Sequence, residues 1–294
     1  MLCNTYYNKV QTAFNRGALY VLATPIGNLS DISLRALSLL ENADVICAED
    51  TRVTNKLLSA YGLRKNLISV REHNECEMAE KIIERLRNNE IVVQVSDAGT
   101  PAVCDPGARI VRAVRQANLP VYPIPGACAI ITALSGAGIV GDDFYFAGFL
   151  PAKSSQRQKT LQNLYRFSCT VIMYETPHRI MDTLSEMADC NNQRTITLTR
   201  ELTKTFETYL SGRPSQLIEQ LSYDEYQRKG EMVLIIHPDT LPESLPETNI
   251  DIDNILNILS AELPTKQAAQ LAAQISGLNK KELYERILEL KQKS

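Results

Sequence analysis

The stretch VSDAGTPAVCDPG, residues 95–107, sets an acid beside bare backbone at the end of an apolar run. Asp97 directly follows the segment IVVQVS (91–96). Ala98, Gly99 and Thr100 come next, and Gly99 lets the backbone approach a ligand or take positive φ. Pro101 and Pro106 stiffen the loop and remove two donors. An acid beside free amides suits a ligand with hydroxyls, an amine or a carboxylate. The plainer reading is a strand-to-helix loop with a capping Asp. PIPGACA (123–129) repeats the logic. Pro125 and Gly126 turn the chain, and the amides of Gly126, Ala127 and Cys128 open a helix, where anionic groups bind. CAEDTR (47–52) and REHNE (71–75) put Glu49, Asp50 and His73 at strand ends. Such groups act as general bases or hold a sugar hydroxyl; otherwise they cap a helix and stay solvated. LPAKSSQRQK (150–159) brings Lys153, Arg157 and Lys159 to a helix start. They either meet a phosphate backbone or form a solvated basic turn.

Other chemistries are excluded. GAGIVG (136–141) has the dinucleotide-fingerprint spacing, but it follows a helix and precedes a strand, the reverse of what that site needs. No GxxxxGK[ST] occurs. Seven cysteines without CxxC spacing, and three scattered histidines, point to a reducing compartment and no metal. The net charge of −3 confines any polyanion site to a local basic patch. No apolar run spans a bilayer and the N-terminus lacks a secretory core, so a cytoplasmic protein without a membrane partner is expected.

The elements that position these residues alternate. ALYVLAT (18–24), DVICAED (44–50), NLISV (66–70), IVVQVS (91–96) and LPVYPI (119–124) read as strands. Helical patterns follow them: 31–43 with Ser30 or Asp31 as cap, 51–62, 74–89, 107–118, and an almost wholly apolar, hence buried, helix at 126–138. This is an α/β layer fold with a largely parallel sheet. Right-handed crossovers gather the polar loops at one sheet edge, where open α/β sheets bind ligands. A second alternating unit runs from FYFAGFL (144–150) to GEMVLIIH (230–237), and PDTLPESLPETNI (238–250) reads as a linker. The expected domains are a loose leader at 1–17, α/β domains at 18–138 and 139–240, a linker at 241–250, and a helical module at 251–294.

In that module Pro264 begins a helix with Ala269, Leu271, Ala272 and Ile275, Gly277 and Leu278 turn it, and an Asn-capped helix buries Leu283, Ile287 and Leu290. The spacing is that of a helix-turn-helix. Residues 264–294 hold six Lys/Arg against three Glu, which favours nucleic acid over a purely protein contact.

The motifs ATPIGNLSD, ADVICAEDTR, HNE, VSDAGTPAVCDPG, PIPGACAIITALSGAG, FAGFLPAK, YETPHR, RELTKTFET and KGEMVLII occur in this order. With them the chain resembles the bacterial small-subunit ribosomal RNA 2′-O-ribose cytidine methyltransferases, of the tetrapyrrole-methylase superfamily. The match runs over 18–237, and the tail resembles that family's helix-turn-helix segment. The resemblance implies two α/β domains with S-adenosylmethionine (SAM) in the cleft between them, a homodimer and no metal. It implies methylation of a decoding-centre cytidine in 16S ribosomal RNA, with the small ribosomal subunit as partner and no DNA. It places Asp97, Ala98, Gly99, Thr100, Pro101, Pro125, Gly126, Ala127, Thr132 and Ala133 on the cofactor from one domain. Tyr174, Leu202 and Glu231 would meet it from the other. Glu49, Asp50 and His73 are the candidates for base or hydroxyl orientation, with Lys153 and Arg200 steadying the backbone or the developing oxyanion. Asn28, Arg52, Asn74, Lys153, Arg157, Lys266, Lys280 and Lys281 would face RNA. Two rivals are a tetrapyrrole methyltransferase on the same fold and a ligand-sensing DNA-binding regulator. The basic tail argues against the first, and two complete α/β units against the second.

Overall fold

The structure, a computed structural model, describes residues 14–238, 252–276 and 278–293. The expected linker at 241–250, the Gly277 turn and most of the leader lie outside the described residues. Residues 14–17, expected to be loose, are tied down: Arg16 pairs with Asp44 at 2.9 Å, and Phe14 packs edge-on against Tyr20. Contacts divide the chain into residues 1–239 and 240–294.

The first unit is built on two five-stranded sheets among the described residues. The first comprises β1 (Ala18–Leu22), β2 (Val45–Ala48), β3 (Leu67–Ser69), β4 (Ile91–Val95) and β5 (Val121–Ile124), in the order β3-β2-β4-β1-β5. Its pairings are all parallel, Ala18 facing Ile91, Val45 facing Val92 and Leu19 facing Val121. The strands are apolar on both faces because helices cover both. Helices α1 (Leu34–Asn42) and α2 (Thr51–Ala60) pack Leu39, Leu40 and Leu58 on one side. Helices α3 (Glu75–Arg87) and α4 (Ala108–Gln116) pack Ile82, Leu86, Ile110 and Val114 on the other. The chain leaving β1 therefore turns to one face and the chain leaving β4 to the opposite one. The adjacent ends of β1 and β4 form the switch point at which such sheets bind ligands. Helix α1 starts later than expected: Asn28 caps a short 3-10 turn at Leu29–Asp31, and Ser33 caps the helix proper.

The second sheet comprises β6 (Phe144–Phe149), β7 (Thr170–Glu175), β8 (Ile196–Arg200), β9 (Thr208–Gly212) and β10 (Met232–Ile236), ordered β6-β7-β10-β8-β9. Only β6 and β7 run parallel; the other pairs are antiparallel. Helices α6 (Ser154–Leu164), α7 (Ile180–Asn191) and α8 (Pro214–Tyr223) cover one face. The other face meets the first layer along a seam. Ile26, Ile130 and Ala133 pack there on Ile172, Leu202, Val233 and Ile235. Seven such side chains, the larger ones at about 1.5–3 kcal/mol each, hold the layers together. Helix α5 (Ala129–Gly136) forms the first layer's side of the seam. It is not wholly buried as its composition suggests: Ile130 and Ala133 are buried, but Ile131 is 51% exposed.

The second unit comprises α9 (Ile252–Glu262), α10 (Thr265–Ser276) and α11 (Lys280–Lys293). Leu256, Ala268, Ala269, Ala272, Leu283 and Ile287 form its core, with Leu290 packed against them. The alanines let the helices approach closely. Leu271, expected inside, is exposed, and Ala268 takes its place. Asn279 caps α11 as expected, its side chain accepting the Lys281 N–H at 2.9 Å. Arg286 clamps α11 to α9 through a bidentate pair with Asp253.

Candidate active site

The loop 96–107 leaves β4 at the switch point and is pinned at both ends. Gly99 and Thr24 exchange backbone hydrogen bonds of 2.9 and 3.1 Å. At the far end the Glu75 carboxylate accepts the Gly107 N–H, and Gln94 Nε2 donates to the Pro106 carbonyl at 3.3 Å. Gly107 has φ of 129°, and a Cβ there would overlap the Gln94 amide, so only glycine fits. Between the pins, Ala102 and Cys104 hold φ of 67° and 63°. Each costs about 1–3 kcal/mol for a non-glycine residue, and the pinned ends enforce it.

This loop divides two concavities. One is a cavity of about 450 Å³ with Gly99, Thr100 and Ala129 on one side and Tyr174, Leu202 and Val233 on the other. The other is a polar cleft of about 650 Å³ holding Glu49, Asp50, Arg71, His73, Asp97 and Arg109. Cys104 and Asp105 line both. The cavity's wall from the second sheet is set by a buried carboxylate. Glu175 accepts from the Thr176 N–H at 2.7 Å, Arg179 Nε at 2.9 Å and Thr183 Oγ1 at 2.7 Å. The YETPHR motif is thereby a structural clamp on the strand end that carries Tyr174.

The carboxyl groups of the cleft differ. Burial, then the charges of Asp105 and Asp97, push the Glu49 carboxyl up from its ordinary value. The Arg52 side chain and backbone N–H hold Asp50 well below the usual carboxylate range. Asp50 also caps α2 through the Arg52 N–H at 2.8 Å. A carboxylate so committed is a weak base.

Residues 18–218 match the family described as Tetrapyrrole (Corrin/Porphyrin) Methylases, and residues 246–291 match the RsmI C-terminal HTH domain. The chain is 55% identical to the ribosomal RNA small subunit methyltransferase I of Neisseria meningitidis serogroup B, over 94% of this chain and 95% of that one. The chain belongs to the ribosomal RNA small subunit methyltransferase I branch of the tetrapyrrole methylases. A second member of the branch, from Pasteurella multocida, is 46% identical over 93% of this chain and 97% of its own. Among solved structures, a cobalt precorrin-4 methyltransferase superposes with a TM-score of 0.56 at 18% identity, covering 75% of this chain and 95% of its own. A Thermus thermophilus uroporphyrin-III C-methyltransferase, complexed with S-adenosylhomocysteine, gives 0.51 at 17% identity, over 75% of this chain and 96% of that one. At these identities the likeness concerns the fold.

Within this tetrapyrrole methylase the expected site residues separate into groups. Ala98, Gly99, Thr100, Tyr174, Leu202 and Glu231 line the cavity. Asp97 does not; it lies in the cleft, where its carboxylate accepts the Asp50 N–H at 3.0 Å. Pro101 is a buried residue of the loop, and Pro125 and Gly126 lie exposed at the strand end. Gly126 is needed there for a close approach, since a Cβ would stand 3.1 Å from the Ala23 carbonyl oxygen. Ala127 packs in the seam and its carbonyl accepts from Thr100 Oγ1 at 3.3 Å. Thr132 and Ala133 sit one turn further on, against the second sheet, where Tyr209 donates to the Thr132 carbonyl at 3.1 Å. Glu49, Asp50 and His73 share the cleft, His73 exposed on a 3-10 turn.

Two arginines need correction. Arg200 is 7% exposed and its guanidinium donates to the carbonyls of Lys229 and Phe206, to Thr208 and to Gln227. It clamps strand ends and has no reach to an oxyanion. Arg157 is 4% exposed and forms a bidentate pair with Glu186, so it is core and not an RNA contact. Of the remaining RNA candidates, Asn28 caps a turn, Arg52 is 83% exposed beyond its pair with Asp50, and Asn74 bonds Arg71 and Ser69 within its own loop. Lys153, Lys266, Lys280 and Lys281 are exposed. Among the described residues no group of His, Cys, Asp and Glu could hold a metal ion, and no helix is long and apolar enough to cross a membrane.

The turn carrying Leu202 rests on the other layer through Gly27. A Cβ on Gly27 would stand 2.5 Å from Lys204 Cγ, 2.9 Å from Thr203 Oγ1 and 3.0 Å from the Leu202 carbonyl oxygen. Glu201 and Thr203 hold φ of 50° and 65°, so this turn has little freedom to retreat. Gly27→Ala is expected to push Leu202 out of place at a cost of about 1–3 kcal/mol. Calorimetric titration with SAM should then show about tenfold weaker binding; affinity equal to that of the parent protein would show that the seam absorbs the methyl group.

Proposed function

We propose that this chain transfers a methyl group from SAM to the 2′-hydroxyl of a cytidine in the 16S ribosomal RNA of the small subunit. The observation that carries this reading is the 55% identity, over 94% of the chain, to a ribosomal RNA small subunit methyltransferase I. The cavity fits the cofactor on its own terms. Its volume lies in the range of small-molecule sites. Ile26, Val103, Leu202 and Val233 offer apolar surface for a base, and Glu201 and Glu231, two carboxylates sharing the one Lys204 ammonium, leave the wall acidic, with no Lys, Arg or His among the described lining residues. Such a wall suits a ligand with a sulfonium and an ammonium. Gly99, at φ of 75°, keeps the backbone open to it.

When bound, SAM supplies a methyl group activated by positive sulfur. The protein's share is position and proton removal. Loop 96–107, Leu202 and Tyr174 fix the cofactor, and the polar cleft takes the nucleotide. The target must be splayed from its neighbours for its ribose to reach the dividing loop. Arg71 and Arg109, charged and at the cleft, supply counter-charge for flanking phosphates. The homodimer belongs to this proposal, and sedimentation equilibrium measures it.

Labelled methyl from SAM, offered to undermethylated small subunits, free RNA and a tetrapyrrole, decides the substrate. Transfer to the subunit or RNA is expected. Transfer to the macrocycle alone would replace this reading by the small-molecule one. In single-turnover reactions, Asp50→Asn is expected to act through the α2 cap and to slow transfer less than tenfold. His73→Ala, exposed and without buried contacts, should also stay within tenfold. A loss beyond about 10²-fold for either, the size of a base effect, would identify it as the base.

A further inference from the structure

We propose that Asp105 is the catalytic base of the methyl transfer, taking the proton of the ribose hydroxyl at the wall shared by the two concavities; this rests on the function proposed above. The sequence marks Asp105 only as a residue of a Pro/Gly turn. The structure gives it a different place. Of the carboxylates in the cleft, Glu49, Asp50, Glu72, Glu75 and Asp97 line the polar side alone, and Asp105 lines both sides. A base for this reaction must reach the hydroxyl proton from beside the in-line path of oxygen, methyl carbon and sulfur, and the rim where the two concavities meet, which Asp105 lines from both sides, is such a place.

The loop is built to hold it there. Ala102 and Cys104 take the left-handed conformation just before it, and Gly107 a φ of 129° just after it. Cys104 leans on the second layer, with its Sγ 3.6 Å from where a Gly148 Cβ would stand. Burial does most to push up the Tyr174 hydroxyl and the Glu49 carboxyl; Asp105 adds the smallest contribution at Tyr174, after Cys128 and Cys104, and the next after burial at Glu49 across the cleft. One side chain is thus felt on both sides of the wall. Burial pushes its own carboxyl up, the Ser96 hydroxyl pulls it down and Asp97 pushes it up again, a balance that leaves it a better proton acceptor than an ordinary carboxylate. Of the rival bases Glu49 also has a raised carboxyl but lines the cleft alone, and the others are engaged or exposed. Asp50 is held by Arg52, Glu75 caps Gly107, Asp97 accepts the Asp50 N–H, and His73 is exposed.

The step balances with no further reactant. Asp105 takes the hydroxyl proton and becomes the neutral acid. The ribose oxygen uses the freed electron pair to bond the methyl carbon, and the pair of the broken carbon–sulfur bond stays on sulfur. The proton then leaves Asp105 for solvent through the cleft.

The test uses the full chain, SAM and undermethylated small subunits. Single-turnover transfer by Asp105→Asn and Asp105→Ala is expected to fall by about 10²–10⁴-fold. Calorimetry should show SAM and S-adenosylhomocysteine affinities within about threefold of the parent protein, the margin of a side chain that removes a proton and does not anchor the ligand. Added formate, a small carboxylate able to enter the vacated space, should restore at least about tenfold of the rate to Asp105→Ala and none to Asp105→Asn. A rate within threefold for Asp105→Asn overturns the assignment. So does a loss of SAM affinity as large as the loss of rate, which marks a structural role, and so does the absence of rescue. Failure of the underlying function appears elsewhere, as a parent protein that binds SAM and methylates no subunit or RNA.

Discussion

Arg157→Ala is expected to destabilise the first unit by about 3–5 kcal/mol without weakening RNA binding. Arg157 on α6 reaches Glu186 on α7 through two bonds of 2.7 and 2.8 Å, and the two side chains are 4% and 8% exposed. Ser154 Oγ donates to the same carboxylate at 2.7 Å, and Arg157 also donates to the Ala152 carbonyl. Removing the guanidinium leaves a buried carboxylate with one hydroxyl for company, and that desolvated charge sets the cost. In a unit of this size each kcal/mol moves the melting temperature by about 2–4 °C, so a fall of roughly 6–20 °C is expected by calorimetry. The double variant Arg157→Met/Glu186→Leu should recover most of it, because an apolar pair of similar volume carries no charge to desolvate. Small-subunit affinity should stay within twofold in the double variant. A stable Arg157→Ala that binds subunits poorly would return Arg157 to the RNA surface.

The same residue shows what the sequence can and cannot say. Lys153, Arg157 and Lys159 look alike in LPAKSSQRQK, all basic and all near a helix start. What separates Arg157 is a carboxylate 29 residues away on another helix, and no local pattern carries that. Arg200 is the same case, its partners lying on the loops before β9 and β10. By contrast the first sheet was legible strand by strand. Val, Ile and Leu runs between Gly/Pro loops leave little choice once both faces are covered. The loop at Ala98–Thr100 was legible as a loop at a strand end, because Gly and Pro follow an apolar run; that it lines a cavity was not, since a plain strand-to-helix loop with a capping Asp has the same local sequence. Nor was Asp105. Its direction depends on left-handed backbone at Ala102 and Cys104, residue types that give no hint of it. The second sheet's antiparallel pairs were hidden because the reversal at 201–207, between β8 and β9, lacks the two-residue turn chemistry that announces a hairpin, and because β10 follows helix α8, with nothing local to fix its direction against β7 and β8.

A chain ending at residue 239 is expected to bind SAM within about threefold of the full protein and small subunits about 10²-fold more weakly, the scale of avidity lost with a second tethered module. Among the described residues the four cores of the first unit draw on none beyond Ile236. The cavity lining ends at Val233. The tail owns a core of small and aliphatic residues. What goes with it is a local basic patch, not net charge: 240–294 holds six Lys/Arg and eight Asp/Glu, but 264–294 holds six against three, with Lys266, Lys280 and Lys281 exposed on α10 and α11. Exposed lysines bind a polyanion by releasing its counterions, so their contribution falls as salt rises. Replacing these three by glutamine in the full chain should therefore weaken subunit binding, and flatten the slope of log affinity against log salt by about 2 if each meets one phosphate at about 0.7 per contact. The SAM titration should not change, because neither the apolar walls nor the acids of the cavity lie in the tail. Filter binding to subunits across a salt series, beside calorimetry with SAM, measures both. Equal loss of both ligands, or of neither, would leave the helical module without the role in RNA binding that its spacing and charge suggest.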